Sequence, residues 1–254
     1  MSVEERSPVI GKRHKGHDVN QPSIVKETSA TKLVRVETRS RQNPGAVFSN
    51  LGHILSVDLL RECYCSLDGS KAVGTDGVTK EEYGEDLENN LTELLLQLRR
   101  GTYIPQASRT VEIPKVDGSK RPLAIACVED KIVQDAARRI LECIFEPLFK
   151  EFSYGFRPNL NCHKALVALD QNLMKWNTGA VLEVDIRKCF TSIPHEKLLE
   201  ILGNKVSDSR FLYLVTKLIK AEVMDAAGKV EKPEQGTPQG SILSPRTQLT
   251  TFKI

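Results

Sequence analysis

Apolar residues at helical spacing recur in separate segments of this chain, and this pattern constrains the fold more than any other feature. Five leucines between residues 87 and 98 fall at i, i+4, i+7, i+8 and i+11, which predicts an amphipathic helix that ends near Gly101. A second apolar set between residues 132 and 144 predicts another helix, closed by Pro147. Further helices are predicted for residues 57–67, 165–176, 194–202 and 211–220.

Short β-prone segments lie between the predicted helices. Residues 110–114 and 121–126 flank Asp117-Gly118, which is typical of a hairpin turn. Residues 181–186 predict a short strand, in which Glu183 and Asp185 share a face because alternate residues of a strand point the same way. Gly228 predicts a second hairpin turn. Together with the helices, these segments predict an α+β fold.

Composition excludes several classes of protein. The 254 residues are 40% hydrophobic and 27% charged, which excludes wholesale disorder and fibrous repeats. No apolar run approaches the roughly 20 residues of a membrane helix. The polar N-terminus, with Glu4 and Glu5, lacks a secretory segment. We therefore expect a soluble cytoplasmic protein with no membrane partner. The six cysteines lack the spacing of zinc sites and are expected to be reduced thiols.

The first 44 residues differ in charge from the rest of the chain. They contain nine Lys/Arg and five Asp/Glu, a net charge of +4, whereas the whole chain has +3. They are polar and show no sustained apolar period, so we predict a flexible basic arm over residues 1–44, with a short ordered piece around residues 33–36. Composition alone does not separate an arm that binds a partner from a solvated tail.

Three places have the residue types for chemistry, and each also has a structural explanation. Asp185 could cap the helix that follows it or bind a hard cation such as Mg²⁺, which favours one or two carboxylates together with phosphate oxygens. Lys115, Lys120 and Arg121 at the hairpin tip are either a solvated turn or a grip for a triphosphate. The loop Gly236–Gly240 lacks the terminal GK[ST] of a P-loop. None of these decides the function alone.

Five sequence blocks follow one another along the chain: IPKVDGSKRPLAI (113–125), EDKIVQDAARRILECIFEPLF (129–149), SYGFRPNLNCHKAL (153–166), VDIRKCFTSIPHEKLL (184–199) and GTPQGSILSP (236–245). In sequence, spacing and order they resemble the reverse transcriptases encoded by group II introns, over roughly residues 50–245. The resemblance implies a right-hand polymerase fold, with fingers over residues 45–178 and a partial palm with a fingers return segment over residues 179–254.

The implied activity is that of an RNA-directed DNA polymerase that transfers nucleotides with two metal ions. Its implied partners are an RNA template or intron RNA, a DNA primer and deoxynucleoside triphosphates. Asp185 is similar to the first metal-binding aspartate of the palm, and the backbone carbonyl of Ile186 to a further ligand of Mg²⁺. Phe190 is similar to the aromatic gate beneath the incoming sugar.

The resemblance also implies residues that contact the nucleotide or the template. Lys115 and Arg121 match the fingers residues that hold the incoming triphosphate. Gln239 is similar to the glutamine that lies near the nucleotide and the template. Arg157 belongs to a block that implies a general role at the template–fingers surface.

The sequence departs from the family pattern after Ser244-Pro245. The family continues to a YADD turn, whereas residues 246–254 are RTQLTTFKI, and no aromatic-x-Asp-Asp occurs in the 254 residues. The second and third palm aspartates and the thumb are then expected to be missing, as in a truncated form. Two functions stay open: an RNA-directed DNA polymerase when complete, or a non-catalytic RNA-binding fragment of maturase-like character. A third possibility is a remnant that does not fold stably, since half a palm leaves sheet edges uncovered.

Overall fold

The computed structural model describes residues 27–114, 118–175, 179–186, 189–237 and 240–243, without the side chains of residues 189 and 190. The helices are α1 (Ser29–Gln42), α2 (Val57–Ser66), α3 (Lys80–Gly84), α4 (Leu87–Arg100), α5 (Val128–Phe145), α6 (Cys162–Leu173), α7 (Cys189–Ser192), α8 (His195–Gly203) and α9 (Ser209–Ile219). The strands are β1 (Ser108–Pro114), β2 (Lys120–Ile125), β3 (Val223–Met224) and β4 (Val230–Glu231). None of the helices in these ranges has both the length and the apolar character needed to cross a membrane.

Local sequence signals set the ends of several helices. Thr79 and Glu82 form a reciprocal capping box at the start of α3, so two amides that would lack helical partners are bonded. Helix α4 ends at Gly101, where the backbone has φ = +74°, a left-handed conformation that favours glycine. Helix α5 ends at Phe145, just before Pro147. These ends confirm the helices predicted for residues 87–101 and 132–147.

Residues 29–42 differ from the flexible arm predicted for residues 1–44. They form the 14-residue helix α1, and the side chain of Thr28 accepts a hydrogen bond from the amide of Thr31 at its start. Leu33 and Val36 pack against the core. They lie three residues apart and so share one face of the helix, which explains how a largely polar segment docks. The remainder of the predicted arm, residues 1–26, lies outside the described residues.

The sheet has the strand order β2-β1-β3-β4. Strands β1 and β2 are antiparallel, with Arg109 opposite Ile125 and Pro114 opposite Lys120, which confirms the predicted hairpin. Strand β3 pairs parallel to β1 and antiparallel to β4, and the β3–β4 turn contains Gly228 at φ = +83°. The sheet therefore joins residues 108–125 to residues 223–231.

Helix α5 lies at the centre of the core, and α1 and α2 pack on it. The hydroxyl of Ser40 on α1 donates to the carbonyl of Ile144 on α5 at 2.6 Å. The same core continues through Leu202 of α8 and Phe211 of α9, both buried. Residues on both sides of the predicted fingers–palm boundary at 178/179 thus pack together. The mixed α/β architecture confirms the predicted fold class.

The strand predicted for residues 181–186 is wrong. Within the described ranges no strand pairs with this segment, and all six residues are exposed, with Leu182 at 87% and Val184 at 76%. A β-strand is held by the ladder of bonds to its neighbour. Alternating apolar residues therefore do not form one where no neighbour is present.

Candidate functional site

The β1–β2 hairpin presents the cations that the sequence analysis singled out. Lys120 forms an ion pair with Glu112 at 2.6 Å across the hairpin, and this bond raises the pKa of Lys120. Arg121 lies opposite Ile113 on β2 and is exposed. Lys115 lies outside the described residues. Lys120 is thus engaged within the hairpin.

A cleft of about 180 Å³ opens beside the hairpin. Thr110, Pro122 and Ala124 of the hairpin form one wall, and Thr191 of α7 and Thr237 contribute to the rest. Thr110 and Ala124 are directly paired in the β1–β2 register. Alternation along β2 places Pro122 and Ala124 on the cleft face and Arg121 on the opposite face. The cleft brings together three of the five sequence blocks.

The loop after Gln235 is held against α8 at its first residues. The amide of Gly236 donates to the carbonyl of Ile193 at 2.7 Å. Nε2 of His195 lies 2.6 Å from the carbonyl oxygen of Gly236, and since a carbonyl only accepts, His195 is the donor. The imidazole is buried, with 3% of the residue exposed. Two bonds therefore fix the position of Gly236 next to the cleft.

A second anchor holds the loop beyond residues 238–239. The side-chain oxygen of Gln134 on α5 accepts from the hydroxyl of Ser241 at 3.0 Å and from the amide of Ile242 at 3.1 Å. At Gly240 the backbone has φ = +105°, and a Cβ there would lie 2.6 Å from the carbonyl oxygen of Ala124. Only glycine allows this close approach to β2. Gln239 lies outside the described residues.

Asp185 and Ile186 are described, and both are exposed. Phe190 lies within α7, and its side chain is outside the described part. Among the described residues, no group of three or more His, Cys, Asp or Glu side chains could hold a metal ion. Asp185 and the backbone carbonyl of Ile186 offer oxygen ligands of the kind that Mg²⁺ accepts. A two-metal centre needs more than one carboxylate.

Arg157 is bonded within its own loop. Its guanidinium pairs with Glu146 at 2.9 Å and donates to the carbonyls of Lys150 and Ser153, both at 2.8 Å. It also lies 5.4 Å from the ring centre of Phe149. Its side chain is 11% exposed, so the residue holds the loop over 146–157 together. Contact with a template at this surface stays a prediction.

The segment that leads into β1 is anchored on the first turn of α5. The carboxylate of Asp130 accepts from the hydroxyl of Tyr103 at 2.5 Å and from the amide of Gln106 at 3.0 Å. Burial raises the pKa of Asp130 to about 6, although these two donors act in the opposite direction. Asp130 therefore ties the hairpin to the same helix that Gln134 ties to the loop.

Gln134, His195 and Asp130 were missed by the sequence analysis. Asp130, Gln134, Ala137 and Leu141 follow one another at i, i+4, i+7 and i+11 on the buried face of α5. Polar residues on an otherwise apolar face are a signal of buried hydrogen bonds, and this could have identified two of the three. His195 has no such signal, because its partner lies 41 residues further along the chain.

Comparison with known proteins places these blocks in a family. Residues 113–251, more than half of the chain, match the family described as reverse transcriptase (RNA-dependent DNA polymerase). The chain belongs to the reverse transcriptase family. Reverse transcriptases generally use a divalent metal ion. The matched region includes strand β2, both loop anchors and Asp185.

The resemblance to proteins of group II introns is confirmed over most of the chain. The group II intron-encoded protein LtrA of Lactococcus lactis subsp. cremoris is 35% identical over 217 residues, which cover 84% of this chain and 35% of LtrA. A putative COX1/OXI3 intron 1 protein of Saccharomyces cerevisiae is 34% identical over 233 residues, 91% of this chain and 28% of that protein. A solved partial Cas6-RT-Cas1–Cas2 complex shares 16% identity with a TM-score of 0.40, over 89% of this chain and 34% of that one. The chain thus spans about a third of the length of these relatives.

Proposed function

We propose that the cleft beside the β1–β2 hairpin belongs to the nucleotide site of an RNA-directed DNA polymerase. The observation that carries this proposal is the convergence of family blocks on one cleft: β2, α7 and the anchored loop 235–243 all meet there. In this proposal Lys115 and Arg121 hold the triphosphate at the tip of the hairpin, outside the cleft face that Pro122 and Ala124 line, and Gln239 lies near the base and the template. The fixed loop supports this role, because a binding site benefits from polar groups that are positioned before the ligand arrives.

Asp185 and the carbonyl of Ile186 are the residues of this chain that would hold Mg²⁺. Two such ions, when bound, activate the primer hydroxyl and stabilise the leaving phosphates. The described residues form no group of three or more potential ligands, so further carboxylates are required for transfer. The carboxylate of Asp185 is exposed, so a metal ion bound to a nucleotide can reach it without rearrangement of the core.

Phe190 selects the sugar in this proposal. A ring beneath the 2′ position would clash with a ribose hydroxyl and accept a deoxyribose. In an enzyme completed with palm and thumb, Phe190→Val should admit ribonucleotides and leave deoxynucleotide use largely intact. The measurement is the ratio of kcat/KM for the two sugars. If Phe190 is only a core aromatic, its truncation costs about 3–5 kcal/mol of stability and lowers both values without changing their ratio.

The second candidate is an RNA-binding function without polymerisation. The described residues bring together no group of three or more potential metal ligands, and this favours the RNA-binding candidate for residues 1–254 acting alone. RNA template or intron RNA is the partner under both candidates, whereas a DNA primer and deoxynucleoside triphosphates belong to the polymerase. Affinity for a deoxynucleoside triphosphate therefore separates the two.

The test is a titration of the chain with a fluorescent deoxynucleoside triphosphate and Mg²⁺. Arg121→Ala should weaken binding about 10- to 150-fold, the loss expected when a hydrogen bond between charged groups is removed. Lys120→Ala is the control, because it removes the same charge from the same hairpin at a position for which no triphosphate contact is proposed. Equal effects of the two variants would contradict the phosphate grip. The absence of any binding would favour the RNA-binding candidate.

A further inference from the structure

A continuous groove runs between the C-terminal end of α4 and the helix α9. It consists of two cavities of about 320 and 700 Å³, and both are lined by Arg99 and Arg210. The smaller cavity is also lined by Arg100, Tyr213 and Lys217. This α4–α9 groove shares no lining residue with the cleft beside the hairpin. It is a separate site.

Three guanidinium groups line the groove without internal partners. Arg99, Arg100 and Arg210 are exposed, and within the described part of the chain their side chains have neither an ion pair nor a hydrogen bond. Arg99 and Arg100 stand in the last turn of α4, where cations are favoured by the helix dipole. Other arginines of the described residues form ion pairs, as Arg139 does with Asp135. The three in the groove are therefore available to an anion.

The acidic residue of the groove does not occupy these arginines. The carboxylate of Asp208 accepts hydrogen bonds from four backbone amides, those of residues 51, 52, 210 and 211. Burial raises its pKa, but the four amides outweigh burial and hold the pKa below its usual range. Asp208 thus caps α9 and fixes the floor of the groove.

Tyr213 adds a flat aromatic surface beside the cations. The residue is 58% exposed. Lys217 lies 4.7 Å from its ring centre and donates to the carbonyls of Gly101 and Tyr103 at 2.9 and 2.7 Å. Lys217 is therefore held at the end of α4 and in turn positions the Tyr213 ring. An ordered, exposed ring next to unpaired arginines is the combination that binds single-stranded nucleic acid, with bases stacked on the ring and phosphates on the cations.

We propose that the α4–α9 groove binds a single-stranded segment of RNA, with its phosphates on Arg99, Arg100 and Arg210 and a base on Tyr213. The elongated groove suits a polymer rather than a small anion. An acidic peptide would satisfy the arginines but would leave the ring of Tyr213 without a stacking partner. This site goes beyond the proposed nucleotide cleft and does not depend on it.

The test measures binding of a short fluorescein-labelled single-stranded RNA to the 254-residue chain by fluorescence anisotropy over a series of salt concentrations. The double variant R99A/R210A should reduce the slope of log affinity against log salt by about 1.4, at about 0.7 for each lost phosphate contact. Tyr213→Ala should weaken binding about 5- to 150-fold with little change in slope, and Tyr213→Phe should retain it. Melting temperatures should stay at the wild-type value for R99A/R210A, since neither arginine has a partner among the residues that the structure describes.

The matched control is K150A/K175A, which removes two exposed cations outside the groove whose side chains also have no ion pair or hydrogen bond among the described residues. It should leave the salt slope unchanged. Equal slopes for R99A/R210A and this control would overturn the proposal. The proposal would also be overturned if R99A/R210A lost affinity for a polyglutamate peptide but kept the wild-type affinity for RNA. The occupant of the groove would then be an acidic polypeptide. If Tyr213→Ala bound the RNA with wild-type affinity, the proposed stacking of a base on Tyr213 would be wrong.

Discussion

Helices α5 and α6 show how similar apolar spacing leads to opposite environments. Helix α5 buries 12 of its 18 residues, among them Ile132, Ile140 and Leu141. Helix α6 buries none, although Leu166, Val167 and Leu169 give it an apolar surface and all three are exposed. Periodicity therefore predicts that a helix forms. Whether its apolar face is covered depends on elements elsewhere in the chain.

The same difference separates the elements that α5 holds from the segment that follows α6. Helix α5 holds the hairpin through Asp130 and the loop through Gln134. The exposed segment 181–186, which contains Asp185, has no such anchor among the described residues, just as α6 has none. The cleft proposed for the nucleotide is thus built on the packed region, and the predicted metal ligand belongs to the exposed segment.

Truncation of a core leucine should produce the largest difference between the two regions. Leu141→Ala on α5 removes a fully buried side chain and should lower the free energy of unfolding by about 2–5 kcal/mol. Leu166→Ala on α6 makes the same chemical change at an exposed position and should change it by less than about 0.5 kcal/mol. Urea denaturation of both variants measures the difference. A comparable loss in Leu166→Ala would mean that α6 is covered.

The next largest effect is the pH dependence that Asp130 gives to the free energy of unfolding. Burial raises its pKa from 3.8 to about 6, so between these values the folded state binds the proton more tightly than the unfolded chain. The contribution of Asp130 to stability is then fully present below about pH 4 and declines as pH rises towards about 6, by up to about 3 kcal/mol.

The measurement is the free energy of unfolding of wild type and Asp130→Asn from pH 4 to pH 7. The variant should lack the decline across this window. Asp170→Asn on α6 is the control, and it should follow the wild-type curve because that carboxylate is exposed. Identical curves for wild type and Asp130→Asn would show that Asp130 does not titrate in this range.

Loss of the Gln134 anchor should have a smaller effect. Gln134→Leu leaves the amide of Ile242 and the hydroxyl of Ser241 without their partner, which should cost about 1–3 kcal/mol and loosen the loop. Gln171→Leu on α6 is the matched control and should be nearly neutral, since Gln171 is exposed. Hydrogen exchange of the Ile242 amide reports the loop directly. Unchanged protection in Gln134→Leu would show that the loop is held by other contacts.

The sequence predicted those parts of the fold that depend on neighbouring residues. The leucine spacing before Gly101 and the Asp117-Gly118 turn determine α4 and the hairpin locally, and both were confirmed. The strand at 181–186 was predicted wrongly, because alternation does not reveal whether a partner strand is present. The docking of α1 was missed for the converse reason, since its partner Ile144 lies 104 residues from Ser40.

The residues of the candidate site also fall into a group that the sequence identified and a group that it did not. The family blocks identified the hairpin, the loop and Asp185, whose roles stay predictions. The groups that position them, Asp130, Gln134 and His195, have partners that are distant in sequence. The α4–α9 groove escaped notice because Arg99 and Arg210 are ordinary surface residues until the fold brings their helices together.

Template-directed extension of a DNA primer on an RNA template tests the central claim most directly. That claim holds that this chain contributes the nucleotide cleft of a reverse transcriptase while Asp185 alone cannot assemble a two-metal centre. We expect no extension by residues 1–254 in Mg²⁺, although the chain retains Arg121-dependent affinity for deoxynucleoside triphosphates. Extension that depends on Mg²⁺ and is abolished by Asp185→Asn would contradict the claim.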